Sequence, residues 1–136
     1  AKLEDLAGSL ISSGHVRFLG RRDDVPELLA RADIFVRASL TESMPMGVLE
    51  AMAVGLPAIA TDVGSTKEAI TNRLNGMLVP PRSVRKLESA MAELLEDETL
   101  RRQIGAAARV RACELDWESV AVRTLEVFKE ASRIRR

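Results

Sequence analysis

The chain has 136 residues, enough for one domain with a real core. Apolar residues make up 46%, and 20 basic residues cancel 20 acidic ones, so no strong field gathers nucleic acid or an anionic membrane. A single cysteine, Cys113, excludes an internal disulfide and a Cys-based zinc site. No apolar run reaches ~18 residues and no signal peptide opens the chain, so a cytoplasmic protein is expected.

Leu3, Leu6, Ala7, Leu10 and Ile11 recur at helical spacing and predict an amphipathic helix over residues 2–13, ended by Gly14. The opening Ala1-Lys2-Leu3-Glu4 starts in mid-helix without a methionine, which reads as a piece cut from a longer protein. Val16 to Leu19 is predicted as a short strand closed by Gly20, and His15 before it, the only histidine, reads as structural. Arg21-Arg22-Asp23-Asp24 is a charged loop, and Val25 to Arg31 a helix with Pro26 in its first turn. Ile34-Phe35-Val36 is the second predicted strand.

The stretch from Ser39 to Ala60 reads as a strand end, a loop, a helix, a tight turn and a new strand. Ser43 is placed as its helix cap, with Pro45 in the first turn. Val48, Leu49, Ala51, Met52, Ala53 and Val54 are apolar almost all round, which predicts a well-buried helix. Gly55 ends it. Glu50 sits inside this apolar run and Glu42 just before it. A carboxylate is rarely buried without a partner. Between the two acids a helix N-terminus presents unpaired N–H groups and partial positive charge, which suits a phosphate. Two acceptors flanking an anion site fit a ligand with hydroxyls at both ends and phosphate in the middle, the layout of a nucleotide sugar. Spacing alone leaves open the plainer reading, in which both acids are simply solvated.

Ala58 to Thr61 is the third predicted strand, Asp62-Val63-Gly64-Ser65 a loop, and Thr66 to Ile70 a short helix. Met77-Leu78-Val79 is a fourth strand, stopped by Pro80-Pro81. Ser83 caps a helix to about Glu96, Asp97 or Thr99 opens the next to about Leu115, and Asp116 caps the last. Cys113 is expected as core filler, and the basic end at Arg133, Arg135 and Arg136 as solvated. Alternating strands and helices predict an α/β fold: a partial Rossmann-like parallel sheet of about four short strands with flanking helices. The whole of 1–136 reads as a single partial domain, with 97–136 a helical extension. Ligands of such sheets bind at the carboxyl ends of the strands. The loops at 20–24, 38–45 and 62–65 should therefore share one rim.

The sequence Glu-Ser-Met-Pro-Met-Gly-Val-Leu-Glu-Ala-Met-Ala-Val-Gly-Leu-Pro resembles the donor-site motif of family 4 (group 1) glycosyltransferases, retaining enzymes of GT-B fold. That motif is Glu, seven residues, Glu, then Ala-Met-Ala-x-Gly-x-Pro, here Glu42, Glu50, Ala51, Met52, Ala53, Gly55 and Pro57. Ser43 departs from the family's usual Gly, and Pro45 from the Gly of many members. Val16-Arg17-Phe18-Leu19-Gly20, Ala32-Asp33-Ile34-Phe35-Val36, Ala60-Thr61-Asp62-Val63-Gly64 with Glu68, Asn75-Gly76-Met77-Leu78-Val79-Pro80-Pro81 and Trp117-Glu118 match further segments. Essentially the whole chain is covered, as the C-terminal part of the donor-binding half.

The resemblance implies that Glu50 binds the ribose hydroxyls and that Glu42, the implied catalytic residue, approaches the hexose. It places the backbone of Ser43, Met44, Met46 and Gly47 against sugar and phosphate, and Arg21 and Arg22 near the base. It implies no metal and no cofactor beyond the nucleoside-diphosphate sugar that serves as donor. It also implies that the acceptor-binding N-terminal domain, the basic Gly-Arg…Lys-Gly clamp and the central strands of the half-domain sheet lie outside this sequence. The strand at 16–19 would then sit across a gap, and a homodimer is one way to cover it. Two other classes share features with the sequence. A receiver-type module is invited by Asp23-Asp24 but lacks the later Asp and Lys. A nucleotide-sugar-binding or assembly module without turnover fits an isolated piece. A dinucleotide dehydrogenase fits poorly, since the sequence has no Gly-x-Gly-x-x-Gly turn.

Overall fold

Three short stretches of apolar sequence form the centre of the computed structural model, which describes residues 2–134. They are β1 (Phe35–Arg37), β2 (Ala58–Thr61) and β3 (Met77–Val79). All run parallel, in the order β1-β2-β3, with Val36 opposite Ile59 and Ile59 opposite Met77. Every residue of β2 is buried, which is why it reads as a continuous apolar run and not as an alternating one.

The alternation along the strands divides the core. Ala58 and Ala60 face Val48, Met52, Ile70 and Ala108 on one side of the sheet. Ile59, Met77 and Val79 face Ala90, Leu94 and Ile104 on the other. The helices supplying these faces are α3 (Met46–Ala53), α4 (Thr66–Ala69), α5 (Val84–Glu96) and α6 (Glu98–Cys113). α6 serves both, through Ile104 and Ala108. It can do so because two glycines bring backbones together. Gly55 turns the chain after α3 at φ +78°, and a Cβ on Gly105 would strike the Gly55 carbonyl oxygen. The remaining helices are α1 (Lys2–Ser12), α2 (Val25–Ala30) and α7 (Trp117–Ile134). Asp97 caps α6 by accepting from the Leu100 N–H at 2.8 Å, and Asp116 accepts from the Ser119 N–H at 2.7 Å at the start of α7.

Several expectations need correction. Among the described residues there are three strands, not about four: 16–20 forms no ladder, because β1 pairs only with β2 and a lone segment has nothing to bond to. The first helix is present but bends at Gly8 (φ +34°), and Leu3, Leu6, Leu10 and Ile11 are exposed. α7 is exposed at all its described side chains except the half-buried Ser119, with Trp117 at 81%. Cys113 is exposed and fills no core. Ser83 stands at the N-cap of α5 but its side chain makes no capping bond. Of the basic end, Arg135 and Arg136 lie outside the described residues, as does Ala1.

Candidate functional site

Two loops leave the carboxyl ends of β1 and β2 and cross against each other. The Thr61 hydroxyl donates to the Ser39 carbonyl at 2.6 Å, and the Ser65 hydroxyl to the Ser43 carbonyl. Gly64 lies so close to Glu42 that a Cβ there would collide with the Glu42 carbonyl oxygen and stand 2.7 Å from its carbon. At φ +54° Gly64 also adopts a conformation that side-chain-bearing residues avoid. These contacts bring 38–45 and 62–65 onto one rim.

Glu42 hangs from this crossing. Its Oε1 accepts from the Ser39 hydroxyl at 2.6 Å and from Arg37 Nε at 2.7 Å, and Arg37 Nε lies 3.0 Å from Ser39 Oγ. The side chain is only 12% exposed. The hydroxyl of Ser39, followed by the Arg37 guanidinium, holds the Glu42 carboxyl below the ordinary glutamate range, against the opposing effect of desolvation. It is thus an ionised acceptor with a fixed orientation.

The mouth of α3 follows directly. Ser43 does not cap it. The helix begins at Met46 with Pro45 at the N-cap position, and the Pro45 carbonyl accepts from Val48 at 2.9 Å and Leu49 at 3.2 Å. A proline has no side-chain acceptor, so the first turn keeps open donors. Among the described residues the N–H groups of Ser43, Met44 and Gly47 have no acceptor. Over the eight residues of α3, open donors and the positive dipole end face the rim, while Val48, Ala51 and Met52 anchor the helix in the core.

Glu50 is exposed, not buried, on the half of α3 that faces away from the sheet. It lines a cavity of about 390 Å³ with Val25, Pro26 and Leu29 of α2. It also borders a second groove, of about 340 Å³, with Met44, Met46, Leu115 and Trp117. Arg22 forms a two-point pair with Asp24, Nε to Oδ1 at 2.7 Å, immediately ahead of α2. The pair holds the Asp24 carboxyl below its usual range. Arg21 is exposed in the same loop. The structure therefore brings Glu42, Ser43, Met44, Met46 and Gly47 together, sets Glu50 one turn down the helix, and leaves Arg21 and Arg22 on the α2 side. A larger groove of about 610 Å³, lined by Leu74, Asn75 and Arg111, lies by the entry to β3, at the opposite ends of the strands.

Sequence reasoning passed over Arg37, Ser39 and Gly64. A signal for Arg37 was available: it is a cation ending an apolar strand on the ligand rim, five residues before an acid. Nothing local marked Gly64 as more than a turn residue.

A parallel α/β sheet with helices packed on both faces and its loops gathered at the carboxyl rim defines the class of Rossmann-like α/β domains. Residues 1–111 match the family described as glycosyl transferases group 1, and the chain belongs to that family. It is 36% identical over 118 residues to the N,N'-diacetylbacillosaminyl-diphospho-undecaprenol alpha-1,3-N-acetylgalactosaminyltransferase of Campylobacter jejuni, covering 87% of this chain and 31% of that protein. Sucrose-phosphate synthase from Thermosynechococcus elongatus superposes with a TM-score of 0.86 at 27% identity, over 98% of this chain and 34% of that one. Anabaena HepE in complex with UDP gives 0.83 at 26% identity, over 96% and 36%. The neighbours have the GT-B fold. The chain spans about a third of the length of the relatives it matches.

Proposed function

We propose that this chain supplies half of the donor site of a retaining glycosyltransferase. The enzyme would move a sugar from a nucleoside diphosphate to an acceptor hydroxyl. The observation that carries this reading is the run of groups from the rim along α3: a held carboxylate at Glu42, open N–H groups at the α3 mouth, and an exposed carboxylate at Glu50 one turn down the helix. Hexose, diphosphate and ribose meet these in order. The bond from the anomeric carbon to the phosphate oxygen breaks, the acceptor hydroxyl oxygen bonds to that carbon with net retention and passes its proton to the departing diphosphate oxygen, and the α3 dipole stabilises the charge that develops on the diphosphate. The apolar cavity between Glu50 and α2 suits the nucleoside, with Arg21 and Arg22 beside the base.

The complete protein, here the full-length parent, would add the acceptor domain and a basic clamp on the diphosphate. The 136-residue chain alone then has no transferase activity, because neither proximity nor charge stabilisation is complete. The uncovered faces of α1 and α7 and the open edge of β1 support either packing against that missing portion or pairing of two copies. A cytoplasmic site of action is part of this reading. Among the described residues no helix is long and apolar enough to cross a membrane.

Glu42→Ala in the full-length parent tests the assignment. Transfer should be impaired while binding of the free nucleoside diphosphate stays nearly intact. Equal loss of both places Glu42 elsewhere. Unimpaired nucleotide-sugar binding with no turnover in the wild type would favour a binding module.

A further inference from the structure

We infer that Arg37 is a positioning residue for Glu42, holding one carboxylate oxygen so that the other is presented to the donor sugar. The inference rests on the reading of Glu42 as the sugar-facing group. Arg37 is the last residue of β1 and pairs in register with Ala60, so its backbone is fixed by the sheet. Its Nε and the Ser39 hydroxyl both donate to Oε1 of Glu42, and the two donors also touch each other. No described residue donates to Oε2. Ser39 is itself held by the Thr61 hydroxyl from β2, and the backbone of Glu42 is backed by Gly64. The guanidinium also spans toward α3: Arg37 Nη1 lies 3.8 Å from where a Cβ on Gly47 would stand.

An exposed ion pair between flexible side chains usually does little. This one differs in that Glu42 is largely covered and two donors converge on a single oxygen, while Arg37 remains 46% exposed and costs little to hold. Saturating Oε1 fixes the carboxylate plane and leaves Oε2 as an acceptor of set direction. Such an acceptor selects a donor sugar that presents a hydroxyl toward it, and rejects the deoxy analogue. Ser39 and Arg37 are the polar groups that contact this carboxylate, so both its ionisation and its direction depend on them.

The test uses Arg37→Met and Arg37→Lys in the full-length parent, beside Glu42→Ala. Arg37→Met should lower kcat by roughly tenfold or more, as expected for a misplaced group, with nucleoside-diphosphate affinity within about twofold of wild type. The acid limb of its pH–rate profile should move up as Glu42 becomes easier to protonate. Arg37→Lys, which keeps the charge, should restore part of kcat. Carboxyl-carbon NMR of Glu42 should show the same upward movement in Arg37→Met. Wild-type kcat and an unmoved Glu42 titration in Arg37→Met, beside an impaired Glu42→Ala, overturn the role of Arg37. Wild-type transfer in Glu42→Ala instead overturns the donor reading on which it rests.

Discussion

Gly64→Ala is the sharpest perturbation the structure offers, because two costs can be separated. The first is conformational. Gly64 sits at φ +54°, and an L-residue in the left-handed region costs about 1–2 kcal/mol. The second is steric. The new methyl would meet the Glu42 carbonyl, with the carbon at 2.7 Å where ordinary contacts begin near 3.4 Å. Neither partner is a flexible side-chain end, and the carbonyl oxygen lies closer still, so the 38–45 loop must retreat by more than an ångström. Forced overpacking of this kind costs about 1–3 kcal/mol. Gly55→Ala isolates the first cost: φ is +78°, yet its nearest neighbours stand at 3.7 and 4.0 Å. Gly64→Ala should therefore be about 1–3 kcal/mol less stable than Gly55→Ala in urea unfolding. It should also lose donor affinity or turnover in the full-length parent, about 10²-fold for a shift near 1 Å. Equal stability of the two variants, with donor handling at the wild-type level in Gly64→Ala, would refute the claim that the two loops are locked at this point.

Glu50→Gln should weaken donor binding about 10- to 150-fold, since an amide cannot accept from both ribose hydroxyls and a charged hydrogen bond is worth about 1.5–3 kcal/mol. Calorimetry on the full-length parent reads this directly, and unchanged affinity in a folded variant removes Glu50 from the site. The acid side of stability should report Glu42. Its folded-state pKa is lowered, so its contribution is fully present above the unfolded value and is lost as pH falls through the folded one. The stability gap between wild type and Ser39→Ala should therefore be widest near neutral pH and close in acid. A gap that widens in acid contradicts the bond from Ser39 to the carboxylate.

The parallel sheet was legible because β1, β2 and β3 are short, largely apolar runs bounded by Gly, Pro and charged residues; β2 and β3 form where the pattern places them, and β1 lies one residue later, at Phe35–Arg37 instead of 34–36. Val16–Leu19 has the same local pattern and forms no strand. Pattern records a segment's preference, whereas a ladder also needs a partner, and the neighbour of β1 on its open side is not among the described residues. The same distinction explains α1 and α7. Their spacing gives helices correctly, but spacing does not say what covers them. At the site, Glu42 and Glu50 stood out as acids in apolar surroundings. Ser43 was misread as a cap because a serine ahead of a helix usually is one. Pro45 takes the cap position instead and leaves donors open. Arg37 and Gly64 escaped notice because their importance lies in contacts with Glu42, made across a loop and across two strands.

The central claim is that a nucleotide sugar lies on the rim between Glu42 and Glu50. The chain's five methionines serve as probes of it, since Met44 and Met46 lie at the α3 mouth while Met52, Met77 and Met91 lie in the core or on α5. Methyl NMR of the full-length parent, titrated with UDP-, GDP- and ADP-sugars, reads all five at once. The account predicts that one nucleotide class shifts Met44 and Met46 and that Glu50→Gln weakens the response, with Met77 and Met91 unmoved. Saturable binding that shifts Met77 or Met91 and leaves Met44 and Met46 in place would contradict it.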